Sequence, residues 1–150
     1  MTSVLCAALT VRKCRIKKAC HTARARLRRW LRLFPWLKTL YEIWKGIDGD
    51  SVYYSSLTGM GELLKTGCTT CLDHHYVFPE HSAGALLDAQ FAAADALGIR
   101  MAATRGSMDL SVKDGGLPPD SVVQTIDEIL RDSQAVVEKY HDSSPYSMHT

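Results

Sequence analysis

The sequence predicts an α/β fold, a helix-rich part of a (β/α)8 TIM barrel with two to three parallel strands. Three observations predict it. A helix, a glycine, a short strand and a polar loop follow one another twice between residues 50 and 107. The two strands are separated by an alanine-rich helix, the kind of crossover that a parallel pair requires. The chain has 150 residues, whereas a closed (β/α)8 barrel takes about 250. It therefore reads as a basic head, residues 1–34, unrelated to the barrel or disordered, joined at 35–150 to the early part of a barrel, with the barrel truncated.

The head differs in charge from everything after it. All ten of its charged residues, from Arg12 to Arg32, are basic, while residues 35–150 hold eight basic and 16 acidic side chains. The net charge of +2 thus divides into +10 and −8. Such a composition suits a solvated arm, an organelle presequence, a membrane-surface helix or a polyanion-binding arm. From Ala23 to Leu33, Leu27, Trp30 and Leu31 recur at helical spacing, and Arg24, Arg28 and Arg32 line another side. Cys14, Cys20 and His21 supply three metal ligands in a positive field, where a structural zinc site wants four. Five cysteines and no secretory signal point to a reducing cytoplasm, with an organelle presequence as the alternative. No window approaches the roughly 20 apolar residues of a membrane span.

The elements follow in order. Pro35 opens a helix that carries Trp36, Leu37, Leu40, Tyr41 and Trp44 on one stripe and stops at Gly46. A second helix takes Asp50 or Ser51 as its N-cap, buries Val52, Leu57, Leu63 and Leu64, and ends at Gly67. Cys68–Asp73 then reads as a buried strand. Ala85–Leu97 is a helix of high propensity ended by Gly98, and Ile99–Thr104 is the next strand. A loop over Met108–Pro119 precedes a last helix opened by Pro118-Pro119-Asp120-Ser121, with Ser121 and Gln124 in capping-box spacing. Its apolar face is expected to comprise Val122, Ile126, Ile129, Leu130, Val136 and Val137. Residues 143–150 read as a turn and the start of a third strand.

In parallel β/α folds the loops leaving the C-terminal strand ends build the site. That rule singles out Asp73, His74 and His75 after the first strand and Arg105 and Ser107 after the second. Adjacent residues of an extended strand point to opposite sides, so at most one of His74 and His75 faces a barrel mouth. An imidazole there can bond a ring nitrogen, and a guanidinium can hold a ring or carbonyl oxygen. His74, His75, Arg105 and Ser107 are therefore the candidate substrate contacts. Cys68 and Cys71 have redox-pair spacing but fall within a predicted strand rather than at an exposed helix N-terminus, and are read as structural.

WLKTLYEIW (36–44), ELLKTGCTTCLDHHYVFP (62–79), LGIRMAATRGSMDLSVKDGGLPPDS (97–121) and DSQAVVEKYHD (132–142) together resemble the metal-dependent amidohydrolases, in the branch of 8-oxoguanine deaminase and hydroxyatrazine aminohydrolase. The resemblance implies an amidohydrolase-type barrel and hydrolytic deamination of a small purine- or triazine-like ring, with a divalent metal, zinc or iron, activating water. It implies metal ligands in a His-x-His pair after the first barrel strand, two later histidines and an aspartate. This chain has no His-x-His before Trp36, and His74-His75 matches a different segment of the family. No catalytic residue or metal ligand is assigned, and the chain alone is expected to be inactive.

A reading from another class is a non-catalytic interaction protein with a basic, polyanion-binding arm. Exposed strand edges favour self-association. Nucleic acid is not the expected partner.

Overall fold

A computed structural model of the protein describes residues 33–80, 82 and 85–150. Residues 23–32 of the basic amphipathic stretch and the Cys14, Cys20 and His21 group lie outside the described residues. Helices α1 (Leu33–Trp44) and α2 (Gly49–Lys65) precede strand β1 (Thr70–His75), helix α3 (Ala85–Leu97), strand β2 (Arg100–Arg105), two 3-10 turns (Val112–Asp114 and Asp120–Val122) and helix α4 (Ile126–Tyr140). β1 and β2 pair in parallel, from Thr70 opposite Arg100 to His75 opposite Arg105. Residues 148–150 add the start of a third parallel strand on the other edge of β2. Met101 N–H donates to Met148 O (2.9 Å), Thr150 N–H to Met101 O (3.0 Å) and Ala103 N–H to Thr150 O (2.8 Å). The expected α/β slice of a barrel, with its two to three parallel strands, is what the chain forms.

Both helix-to-strand transitions use one device. After α2, Gly67 adopts φ 86° while its N–H bonds Leu64 O and the Cys68 N–H bonds Leu63 O. After α3, Gly98 adopts φ 66° while its N–H bonds Asp95 O and the Ile99 N–H bonds Ala94 O. Each is a Schellman ending, in which a left-handed residue lets the chain satisfy the last helical carbonyls and leave in a new direction. This corrects the strand bounds. Cys68 is bound into the helix ending, so β1 runs over Thr70–His75 rather than Cys68–Asp73.

Two capping expectations are also corrected. Asp48, not Asp50 or Ser51, caps α2 by accepting from Ser51 N (2.8 Å). Thr125, not Ser121, caps α4, because residues 120–122 form a separate 3-10 turn. Thr125 and Glu128 exchange bonds as a capping box. In α2 the buried positions are Val52, Ser55, Ser56 and Met60, whereas Leu63 is exposed. Small residues along this stripe permit close packing on α3, the helix that α2 contacts most.

The core has two parts. Tyr41, Trp44, Ile47 and Val52 meet Val77, Phe78, Leu86, Leu87 and Val122 in one, while Met60, Phe91, Ala94, Ile99 and Met101 form the other. The predicted aromatic stripe of α1 is thus core at Tyr41 and Trp44. The expected apolar face of α4 is not the one it buries: Ile126, Leu130 and Val137 are exposed, and Ile129 and Val136 are half-buried. Polar anchors set that rotation. Asp132 pairs with Arg105, and Tyr140 Oη donates to Asp88 Oδ1 (2.6 Å), so the face from Ile129 through Asp132 and Val136 to Tyr140 turns inward.

No described helix is long and apolar enough to cross a membrane. Thr125→Ala is expected to cost about 1 kcal/mol in urea unfolding, with helix signal lost at the start of α4, and Thr125→Ser to restore most of it.

Candidate functional site at the strand ends

Alternation along a strand and the in-register pairing divide the strand residues between two faces. Cys71, Asp73 and His75 share the helix-covered side with Met101, Ala103 and Arg105, whereas Leu72 and His74 share the open side with Ala102 and Thr104. Burial follows the division, since Asp73, His75 and Met101 are buried and Leu72, His74 and Thr104 are exposed. In a barrel the open side is the lumen.

The two adjacent histidines consequently live in different media. His75 is 1% exposed, its Nε2–H donates to Val77 O (2.9 Å), and its ring meets Phe78 edge to face at 5.0 Å. Burial pushes its pKa down to about 4, against a smaller upward pull from Asp73, so it sits as a neutral imidazole. His74 stands on the open side. Its Nδ1 lies 2.5 Å from Thr104 Oγ1, and its ring stacks with Tyr76 at 5.6 Å between centroids. Gly106 makes the space: a Cβ there would lie 2.7 Å from His74 Cε1 and from Tyr76 Cβ.

Arg105 is on the covered side and fully engaged. Its Nη2 and Nε reach Asp132 Oδ2 at 2.9 and 3.0 Å, Nη1 donates to Gly106 O (2.8 Å), and Nη2 also donates to Gln124 Oε1. The guanidinium lies 4.1 Å over the Phe78 ring. With its side chain 5% exposed, it joins β2 to the 106–125 loop and to α4 instead of lining the open face. Ser107 is exposed just past the strand. Of the four candidate contacts, His74 alone stands on the open sheet face with its partners defined, and Arg105 and His75 lie behind the sheet.

Asp73, near the end of β1, is 4% exposed and accepts from Gln90 Nε2 (2.6 Å) on α3. Cys71 packs half-buried against the second core cluster. Burial first, then the charges of Asp73 and Cys68, push its thiol pKa up, the reverse of what a reactive thiol needs. Sequence reasoning missed Thr104, Tyr76 and Gly106 around His74, and Asp132 behind Arg105. The strand register was the signal that would have placed Thr104 beside His74.

Among the described residues no three His, Cys, Asp or Glu side chains gather as a metal site. His74 and His75, on opposite faces, cannot share an ion. The described residues therefore do not fit a catalytic divalent metal, which needs about three protein ligands.

The model of the Amidohydrolase family matches residues 17–147, beginning within the basic head. Over 109 residues the chain is 46% identical to the 8-oxoguanine deaminase of Pseudomonas aeruginosa, covering 73% of this chain and 24% of the relative. Over 118 residues it is 36% identical to the hydroxydechloroatrazine ethylaminohydrolase of a Pseudomonas species, covering 79% and 24%. Among solved structures, the triazine hydrolase of Arthrobacter aurescens aligns with a TM-score of 0.75 at 29% identity, covering 79% of this chain and 27% of that one. The atrazine chlorohydrolase of the same organism, solved with zinc, aligns at 0.64 and 32%, covering 69% and 23%. The chain spans about a quarter of the length of the curated relatives it matches.

Two outcomes follow from the buried groups. Asp132→Ala strands the Arg105 charge and is expected to cost about 3–5 kcal/mol in urea unfolding, with Asp132→Asn milder. His75 has a lower pKa folded than the usual 6.5, so between pH 6.5 and 4 the unfolded chain binds the extra proton. Stability is expected to fall by up to about 3 kcal/mol as pH drops through that window, with no further loss from His75 below it, and His75→Gln to flatten the dependence.

Proposed function

The chain belongs to the amidohydrolase family, and from that premise we propose that it supplies the early strands of a barrel that hydrolytically deaminates a purine- or triazine-like ring. In such a reaction the oxygen of water bonds a ring carbon, the exocyclic C–N bond breaks, and the nitrogen leaves as ammonia. The observation that carries this reading is the 46% identity to an 8-oxoguanine deaminase over the 109 residues that include both strand ends.

The chain's own part is to present the ring. His74 contacts the heterocycle from the open face, and Ser107 lies at the rim. His75 and Arg105 act from behind the sheet, by fixing the ends of β1 and β2 and holding the 106–125 loop against α4. The divalent metal used by the family, when bound in a complete barrel, supplies activated water; the described residues do not fit it, and no step is assigned to them through it. Exposed apolar side chains such as Leu72 also support association with neighbouring barrel elements or with a second copy.

A chimera tests the reading. Placing the matched 109-residue stretch of this chain into the Pseudomonas aeruginosa deaminase is expected to preserve ammonia release from 8-oxoguanine that a chelator abolishes, while the 150-residue chain alone releases none. A soluble, metal-loaded chimera without turnover would refute the assignment.

A further inference from the structure

We infer that His74 is held as the Nδ1–H tautomer and offers Nε2 as an acceptor on the open face, a contact that selects rings carrying a lactam N–H. The inference rests on the functional reading above for its ligand and on geometry for everything else. The hydroxyl of Thr104 has one proton to give. Its oxygen lies 3.4 Å from the Asp73 carbonyl oxygen and 2.5 Å from His74 Nδ1. Both contacts are hydrogen bonds at once only when the hydroxyl donates to the Asp73 carbonyl and accepts from His74 Nδ1, which then carries the hydrogen. Nε2 then holds the lone pair.

The ring cannot easily turn away from this arrangement. Tyr76 stacks on it at an interplanar angle of 23°, and Gly106 passes beneath, where even a methyl group would come 3.0 Å from Nε2 and 2.7 Å from Cε1. The ladder bond from Gly106 N–H to His75 O (2.7 Å) keeps that glycine in place. Thr104 and Gly106 are thus positioning residues: one sets the tautomer, the other the space.

The chemical consequence is selective. An Nε2 lone pair accepts from a ring N–H and repels a ring nitrogen or carbonyl oxygen that brings its own lone pair. Oxo-purines and hydroxylated triazines or pyrimidines in their lactam forms carry such an N–H beside a carbonyl. Their O-alkylated counterparts carry a bare nitrogen there instead. The opposite tautomer would reverse the preference.

The experiment uses the 150-residue chain, labelled with nitrogen-15, and reads the tautomer of His74 from long-range proton–nitrogen correlations of the ring. The wild type is expected to show Nδ1–H. Thr104→Val, isosteric but without the hydroxyl, is expected to shift the population to Nε2–H, and Thr104→Ser to restore Nδ1–H. Isocytosine, a lactam, is expected to move the His74 Nε2 resonance at least threefold more than 2-amino-4-methoxypyrimidine at equal concentration. Nε2–H in the wild type, an unchanged tautomer in Thr104→Val, or equal responses to the two pyrimidines would overturn the inference. A chimera that fails to release ammonia while these resonances behave as expected would count against the deaminase reading alone.

Discussion

The parallel pairing of Thr70–His75 with Arg100–Arg105 decides where the polar groups at the strand ends go. A slip of one residue would send Asp73 and His75 to the open face and press Leu72 and His74 against the helices. The register is pinned at both ends. Arg100 N–H bonds Thr69 O where the strands begin, and Gly106 N–H bonds His75 O where they finish. The two Schellman endings add a constraint, since each strand starts from a helix terminated by the same geometry, and the crossover helix α3 spans a fixed distance between them.

That register places a polar layer beneath the sheet, where desolvation makes every unpaired group costly. Asp73 receives Gln90, and Arg105 meets Asp132, Gln124 and the face of Phe78. Satisfaction is not complete: Gln90 Oε1 lacks a protein partner, as do Trp44 Nε1 and Ser56 Oγ. Gln90 has turned its amide nitrogen toward the carboxylate and left its oxygen behind. A buried ion pair of this kind is weak evidence of net stability. Its effect here is directional, because Asp132 can reach Arg105 only from one rotation of α4, and that rotation leaves Ile126, Leu130 and Val137 facing outward.

The same point explains what could be read from the chain. Gly67 and Gly98 were legible because positive φ at a helix end is a local demand that glycine answers. The family was legible because the GCTT, DHHY and RGSM segments occur together at their spacing. The start of α4 was not legible, since Ser121 and Thr125 both offer a capping oxygen and only packing of Val122 into the core makes residues 120–122 a separate turn. Arg105 was misplaced for a similar reason. Standing at a strand end suggests a site residue, but its face depends on alternation counted against β1, a long-range fact that pairs it with His75 rather than with His74.

The uncovered surfaces bear on how the site works. Leu72 is 68% exposed on the open face and Leu130 is 63% exposed on α4. Beside the three-residue start of the third strand lies a cleft of about 360 Å³, bounded by Phe91, Ala103, Arg105, Val136, Tyr140 and Thr150. In a closed barrel further strands and helices cover such surfaces, and the open face becomes the lumen. For the contact proposed at His74 the difference is electrostatic. Exposed to water, its Nε2 can exchange a ligand N–H for a solvent hydrogen bond at little net cost; enclosed among strands, the same contact operates at lower dielectric, where a mismatched lone pair is left unsatisfied and discrimination sharpens. The side chain and its supports are already built at the ends of two strands, whereas the strength of the proposed selection depends on the enclosure around them.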